Sequence, residues 1–168
     1  GWNAQEGRQW RKTDDAIRLS STLDYQRDTI SPWYFSAKAN FNTQFANGYK
    51  YPDRTAPISR FMAPGYLFMG GGASYIPEGK EFKLYLSPVT FKSTFVLDQT
   101  LANQGAFGVQ GAIRDADGNI ITPGKKIYRE LGFLLTNSWK FEVAKNVELD
   151  NKLDLYTAYL NNFGNIDV

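Results

Sequence analysis

The chain has 168 residues, with 19 Lys and Arg against 17 Asp and Glu, 42% apolar and 15% aromatic residues. That length suits one domain, and a net charge of +2 supplies none of the concentrated basic surface that a nucleic-acid partner demands. Cysteine and histidine are both absent, which excludes disulfides, thiolate metal sites and a Cys nucleophile, and removes the commonest general base and zinc ligand.

No run of 18 or more apolar residues occurs, so a transmembrane helix is excluded. A barrel strand is not, because it needs apolar residues only at every second position. The opening Gly1-Trp2-Asn3-Ala4 carries no signal peptide and reads as the tail of a strand. An excised segment is expected, with its targeting sequence upstream.

Over most of the length the hydrophobic period is two rather than 3.6. Ile17, Leu19, Leu23 and Tyr25 alternate with Arg18, Ser20, Thr22, Asp24 and Gln26. Phe35, Ala37, Ala39, Phe41 and Phe45 then alternate with Ser36, Lys38, Asn40, Asn42 and Gln44. The next strand, Tyr66 to Tyr75, contains Gly70-Gly71-Gly72, which removes side chains where the chain bends or packs closely.

From Phe82 to Leu97 the parity changes. Phe82, Leu84 and Leu86 precede Ser87-Pro88, and Val89, Phe91, Phe95 and Leu97 follow on the other parity. Proline cannot donate to the ladder, so a bulge that resets the register is expected there. Leu131, Phe133, Leu135, Trp139, Phe141 and Val143 next alternate with Glu130, Gly132, Thr136, Ser138, Lys140 and Glu142, Leu134 being an apolar intruder. The last full strand sets Val147, Leu149, Leu153, Leu155 and Tyr159 against Glu148, Asp150, Lys152 and Asp154. The ending Asn165-Ile166-Asp167-Val168 reads as the start of another strand.

The connections discriminate between folds. Arg27 to Pro32, Pro77 to Glu81 and Ala144 to Asn146 are short turns; residues 5 to 14, about 47 to 63 and about 98 to 124 are long links. Short and long alternate strictly. In an up-and-down barrel every second connection falls on one rim, so this order collects short turns on one rim and long loops on the other, as outer-membrane barrels do. A soluble sandwich or lipocalin-like barrel has no such requirement, although it shares the period of two with its apolar face turned inward. Periodicity alone does not say which face is outside.

Aromatic residues gather at the strand ends. Tyr25, Trp33, Phe35, Phe82, Trp139 and Phe141 lie near the short turns, and Phe45, Tyr49, Tyr51, Phe61, Tyr66 and Tyr159 near the long links. Two interfacial girdles are one reading; the general preference of aromatics for strands is the other.

Few motifs carry chemistry. Asp115-Ala116-Asp117-Gly118-Asn119 is oxygen-rich, but its Gly is fourth rather than sixth and no closing Glu follows. A hairpin turn at Asp117-Gly118 is expected instead. Gly70-Gly71-Gly72 lacks the Gly-Lys-Ser/Thr continuation of a phosphate loop. Arg11-Lys12 beside Asp14-Asp15 reads as a solvated cluster, with Trp10 as a candidate contact. The polar faces place Arg18, Asp24, Lys38, Asn40, Asn42, Glu130, Lys140, Glu142, Glu148, Asp150, Lys152 and Asp154 toward a barrel lumen. They pair across a narrow interior or line a wider one.

Glu6 to Asp15, Phe41 to Tyr49, Leu86-Ser87-Pro88, the run from Asp98-Gln99 to Gly108-Val109, and Asn161-Asn162 with Asn165 to Val168 together resemble an uncharacterised family, domain of unknown function family 3078. The resemblance extends over nearly the whole chain. It implies a secreted protein of Bacteroidota and an outer-membrane barrel that continues on both sides of this segment, and it supplies no reaction.

The sequence therefore leads to one all-β domain over residues 1–168, part of an antiparallel up-and-down transmembrane β-barrel with further strands before Gly1 and after Val168. Six full strands and two partial ones are expected. The expected function is a passive, porin-like conduit in a bacterial outer membrane, without enzymatic activity, metal or cofactor. The alternative is a structural or accessory subunit that acts through its long loops. Outer-membrane lipid is the expected partner, with other outer-membrane proteins in the alternative.

Overall fold

The computed structural model of the chain describes residues 2–3, 11–12, 15–50, 52–53 and 55–159. Two short strands come first, β1 (Trp2–Asn3) and β2 (Arg11–Lys12), paired antiparallel. Next are β3 (Ile17–Tyr25), β4 (Trp33–Thr43), β5 (Gly48–Tyr49), β6 (Pro57–Ser59), β7 (Gly65–Tyr75) and β8 (Phe82–Phe95). A helix α1 (Gln99–Asn103) and a 3₁₀ turn (Ala106–Gly108) follow, then β9 (Ile113–Arg114), β10 (Ile120–Thr122), β11 (Ile127–Ala144) and β12 (Val147–Ala158).

The six long strands form one antiparallel sheet in the order β12-β11-β8-β7-β4-β3. Each pairs with its predecessor, so the sheet is a meander, and it is not closed into a barrel. All six full strands expected from the period of two are present. Their ends shift by a few residues: β11 begins at Ile127 rather than Glu130, and β4 ends at Thr43 rather than Phe45. The final nine residues, on which a further strand was expected, lie outside the described residues.

The described residues fall into two compact units. One takes in those of Gly1–Leu19, Asn40–Leu67 and Ser93–Arg129; the other those of Ser20–Ala39, Phe68–Lys92 and Glu130–Val168. The described residues of the three long connections belong to the first unit and the three short turns to the second. That partition follows the alternation of short and long links in the sequence.

In the second unit β11 and β12 pair with Phe133 opposite Thr157, Leu135 opposite Leu155 and Phe141 opposite Leu149. The alternate positions pair Thr136 with Asp154, Ser138 with Lys152 and Lys140 with Asp150. One face is thus largely apolar and the other largely polar, with Leu134 opposite Tyr156 on the polar side. Lys145-Asn146 makes the turn, Asn146 at φ 65°, a left-handed conformation that Asn tolerates better than most residues.

Side-chain hydrogen bonds hold the described parts of the first unit's links. Asp15 accepts hydrogen bonds from the main-chain N–H groups of Phe45 and Ala46. Gln44 reaches the Arg60 carbonyl at 2.9 Å, across the β5–β6 hairpin. Asp98 caps α1 by accepting from Leu101 N–H at 3.0 Å, satisfying one of the orphan donors at a helix start. Its other carboxylate oxygen lies 3.2 Å from Arg60. Ala63, Val96, Leu101, Ala102 and Val109 form a small core, with Ala106, Phe107 and Tyr128 against it. Gly124 closes over this core: any Cβ there would fall on the Ala102 carbonyl. The expected turn at Asp117-Gly118 joins β9 to β10, with Gly118 at φ 85° and Asp115 accepting from Asn119 N–H at 2.7 Å. In the link between β5 and β6, Thr55 donates to Asp53 and holds that exposed carboxyl below its ordinary pKa.

Candidate functional site: the polar face of the sheet

Apart from Ala158, the side chains that the second unit buries are hydroxyls and tyrosines rather than aliphatics. Ser74, Ser87, Thr90 and Tyr85 are fully buried, and Ser36 and Tyr156 nearly so. Leu23, Phe35 and Val89, by contrast, are 69%, 65% and 62% exposed. On β4 the alternation is direct: Ser36 is buried and Lys38 half-buried, while Phe35 and Ala37 between and beside them are exposed. A protein folded against water buries its apolar face, so the polarity of this sheet is inverted where a polar face is buried, at Ser36, Ser74, Tyr85, Ser87 and Thr90.

A chain of polar contacts runs across the buried face. The Ser36 hydroxyl donates to the Asp24 carboxylate on β3, and a 2.7 Å hydrogen bond joins it to Ser74 on β7. Lys83 on β8 lies 3.8 Å from the same carboxylate. Buried hydroxyls without partners would each cost about 1–3 kcal/mol; this network satisfies those of Ser36 and Ser74, whereas the Tyr85 hydroxyl is buried without a hydrogen-bond partner among the described residues. Farther along β8, the Thr90 hydroxyl lies 2.8 Å from the Ser87 hydroxyl and 3.2 Å from the Ser87 carbonyl, with one proton to give between them. Ser87 is in turn within 3.1 Å of the Gly71 and Val89 carbonyls. Buried positions Tyr85 and Ser87 are odd and Thr90 is even. Ser93, buried as well, is odd again, so the burial pattern of β8 changes parity after Pro88 and once more before Ser93.

Glycines make this face possible. A Cβ at Gly70 would come within 2.9 Å of both the Tyr85 hydroxyl and Ser87 Oγ, and one at Gly72 would collide with the Leu86 carbonyl. Gly71, pointing the other way, has open space. The Tyr85 ring occupies the room the glycines leave, and Lys38 Nζ sits 3.7 Å above its centroid. Lys92 stands likewise 3.2 Å over the Tyr156 ring. Both distances fit cation–π contact.

Charges of both signs occupy the rest. Lys140 pairs with Glu148 across the β11–β12 ladder, and Glu81 approaches it at 3.8 Å. Lys152 lies 3.1 Å from Asp154 on its own strand. Lys140, Glu142, Glu148, Asp150, Lys152 and Asp154 are all exposed, whereas Glu130 is half-buried. Of the other residues read as lumen-facing, Asp24 and Lys38 join the polar network; Arg18, Asn40 and Asn42 are exposed positions of the first unit.

The aromatic positions near the short turns include two clusters. Trp33 and Phe82 flank Tyr75, with ring centroids 5.0 and 6.1 Å from it, and Trp139 lies 4.6 Å from Phe141. Tyr25 and Phe35 are exposed singly. Phe45, Phe61, Tyr66 and Tyr159 are exposed and Tyr49 is half-buried; Tyr51 and Trp10 lie outside the described residues. Tyr159 donates to the Pro88 carbonyl. Among the described residues no group of three or more Asp and Glu is placed to hold a metal ion, and no helix is long and apolar enough to cross a membrane.

Sequence reasoning missed the core of this face: Ser74, Tyr85, Lys83, Lys92 and Tyr156. The available signal was parity, carried through the glycine run and across Pro88.

Residues 1–49 match the sequence profile of a family described as "Protein of unknown function (DUF3078)". The match covers the first of the elements that carry the resemblance and the Phe41 to Tyr49 stretch, and not the later ones. No curated protein and no solved structure matches the chain.

Proposed function

We propose that the chain is a segment of a transmembrane β-barrel of a bacterial outer membrane, and that its polar face lines the interior of a passive conduit. The inverted polarity of the sheet is the observation that carries this reading. In water, leaving each large apolar side chain bare forfeits about 1.5–3 kcal/mol; against lipid the same face is the stabilised one. The open edges β3 and β12 are then completed by strands outside this segment, since hydrocarbon does not tolerate unpaired backbone groups.

The exposed charges of β11 and β12 favour a conduit over a plugged barrel. Lys140, Glu142, Glu148, Asp150, Lys152 and Asp154 keep contact with solvent, as a water-filled wall requires. The purified full-length protein in a planar bilayer is expected to give discrete conductance steps with little ion preference. A silent bilayer would contradict the conduit.

A second reading, an accessory subunit working through its long loops, is favoured by one observation. The long links carry their own packed core around Leu101 and Ala102, and they expose Ile58, Phe61, Ile113 and Ile121. Long links with such internal packing are commonly functional. Detergent extraction under mild conditions is then expected to yield a second outer-membrane protein in fixed ratio; a lone species would count against it.

A further inference from the structure

The end of the last long link concentrates positive charge without neutralising it. Lys125, Lys126 and Arg129 are all exposed, and among the described residues their side chains have no acidic partner. With Gly108, Gln110 and Ile127 they line a groove of about 700 Å³ within the first unit, and no Asp or Glu contributes to its lining. Main-chain bonds fix its walls: Lys125 N–H donates to the Gln110 carbonyl at 2.8 Å, and Val96 N–H to the Lys126 carbonyl at 2.7 Å. The cations therefore project from a held backbone rather than a loose loop.

Position adds chemistry to charge. Alternation along β11 puts Ile127 and Arg129 on the side of the strand that carries Leu131, Phe133 and Leu135. A cation following directly on an apolar strand face stands at headgroup level of a bilayer, where long basic side chains lay their stems along apolar surface and keep their charge in the polar layer. The guanidinium fork of Arg matches a phosphate bidentately, and Lys supplies compact point charge beside it.

We propose that this groove binds the phosphate of an anionic lipid headgroup, with Arg129 as the bidentate ligand and Lys125 and Lys126 as its charge partners. The inference rests on the membrane reading, because Ile127 and the apolar side of β11 offer the acyl chains a path that free phosphate would not use.

The test is titration of the detergent-solubilised full-length protein with a short-chain phosphatidic acid and, separately, with inorganic phosphate. Saturable binding of the lipid is expected, weakened at least about tenfold by Lys125→Gln combined with Arg129→Gln and unchanged by Lys145→Gln in a short turn. Inorganic phosphate should bind at least about tenfold more weakly than the lipid. Undiminished affinity in the double variant, no saturable binding, or equal binding of inorganic phosphate would overturn the proposal. A heat-dependent gel shift on the same preparations separates the two readings. A missing shift in the unaltered protein sinks the membrane barrel, while a normal shift with undiminished affinity in the variant sinks only the headgroup site. Should the double variant lose its own shift, Arg129→Lys decides, with several-fold weaker binding expected and unchanged affinity contradicting the assignment.

Discussion

Gly72→Ala is expected to destabilise the reconstituted protein by about 3 kcal/mol, the upper end of overpacking costs, whereas Gly71→Ala changes its stability by less than about 1 kcal/mol. The two glycines are neighbours on β7 and face opposite ways. A methyl group at Gly72 would meet the Leu86 carbonyl, and backbone of an adjacent strand cannot move aside as a side chain can. At Gly71 nothing lies within 4 Å, and alanine there removes only glycine's extra chain entropy. Gly70→Ala falls between them, at about 1 kcal/mol, because the atoms in its way are the ends of Tyr85 and Ser87 side chains. Urea unfolding in lipid vesicles reads the ladder as midpoint shifts at constant slope. Equal losses at Gly71 and Gly72 would mean that the polar face is not on the side assigned to it.

A pair of arginines placed at adjacent positions of β11 should separate by a similar amount. Leu135 is near the middle of this 18-residue strand, opposite Leu155 on the apolar face. Leu135→Arg is expected to cost about 2–4 kcal/mol, as a charge facing lipid at mid-depth does. Thr136→Arg is expected to cost less than about 1 kcal/mol, because Thr136 faces the polar side directly opposite Asp154 and the pair it forms offsets the added bulk. For a sheet solvated on both faces the gap closes, since Leu135 and Thr136 are both half-buried and neither arginine would meet hydrocarbon. Refolding yield into vesicles, scored by the heat-dependent gel shift, measures both variants side by side.

The strands were legible in the sequence because a period of two is a local property, and it needs no knowledge of what covers either face. Ile17 to Tyr25 and Val147 to Tyr159 alternate cleanly enough to be read almost to the residue. The expectation of an interruption at Pro88 rests on a chemical reason, the missing N–H donor, and β8 nonetheless runs unbroken from Phe82 to Phe95. Sidedness was not legible. Ser74 and Tyr85 become a buried pair of positions only when β7 and β8 are laid side by side, and glycine at 70 and 72 gives no hydropathy signal to mark that face. The helix at Gln99–Asn103 was also missed. Five residues are too few for a 3.6 period to emerge, and the cap at Asp98 is the sole local cue. The small core around Leu101 joins segments more than thirty residues apart, from Ala63 to Val109, so no window of sequence contains it.

Spin labels on β11 test the membrane barrel most directly. These 168 residues hold no cysteine, so single cysteines at Phe133, Leu135, Thr136 and Ser138 report without background from this segment. Collision with dissolved oxygen, which concentrates in hydrocarbon, should peak at Phe133 and Leu135 when the full-length protein is reconstituted in vesicles. Collision with a water-soluble nickel chelate should be lowest at those same two positions. Chelate maxima at Phe133 and Leu135, or no alternation between them and Thr136 and Ser138, would contradict a sheet that turns its apolar face to lipid.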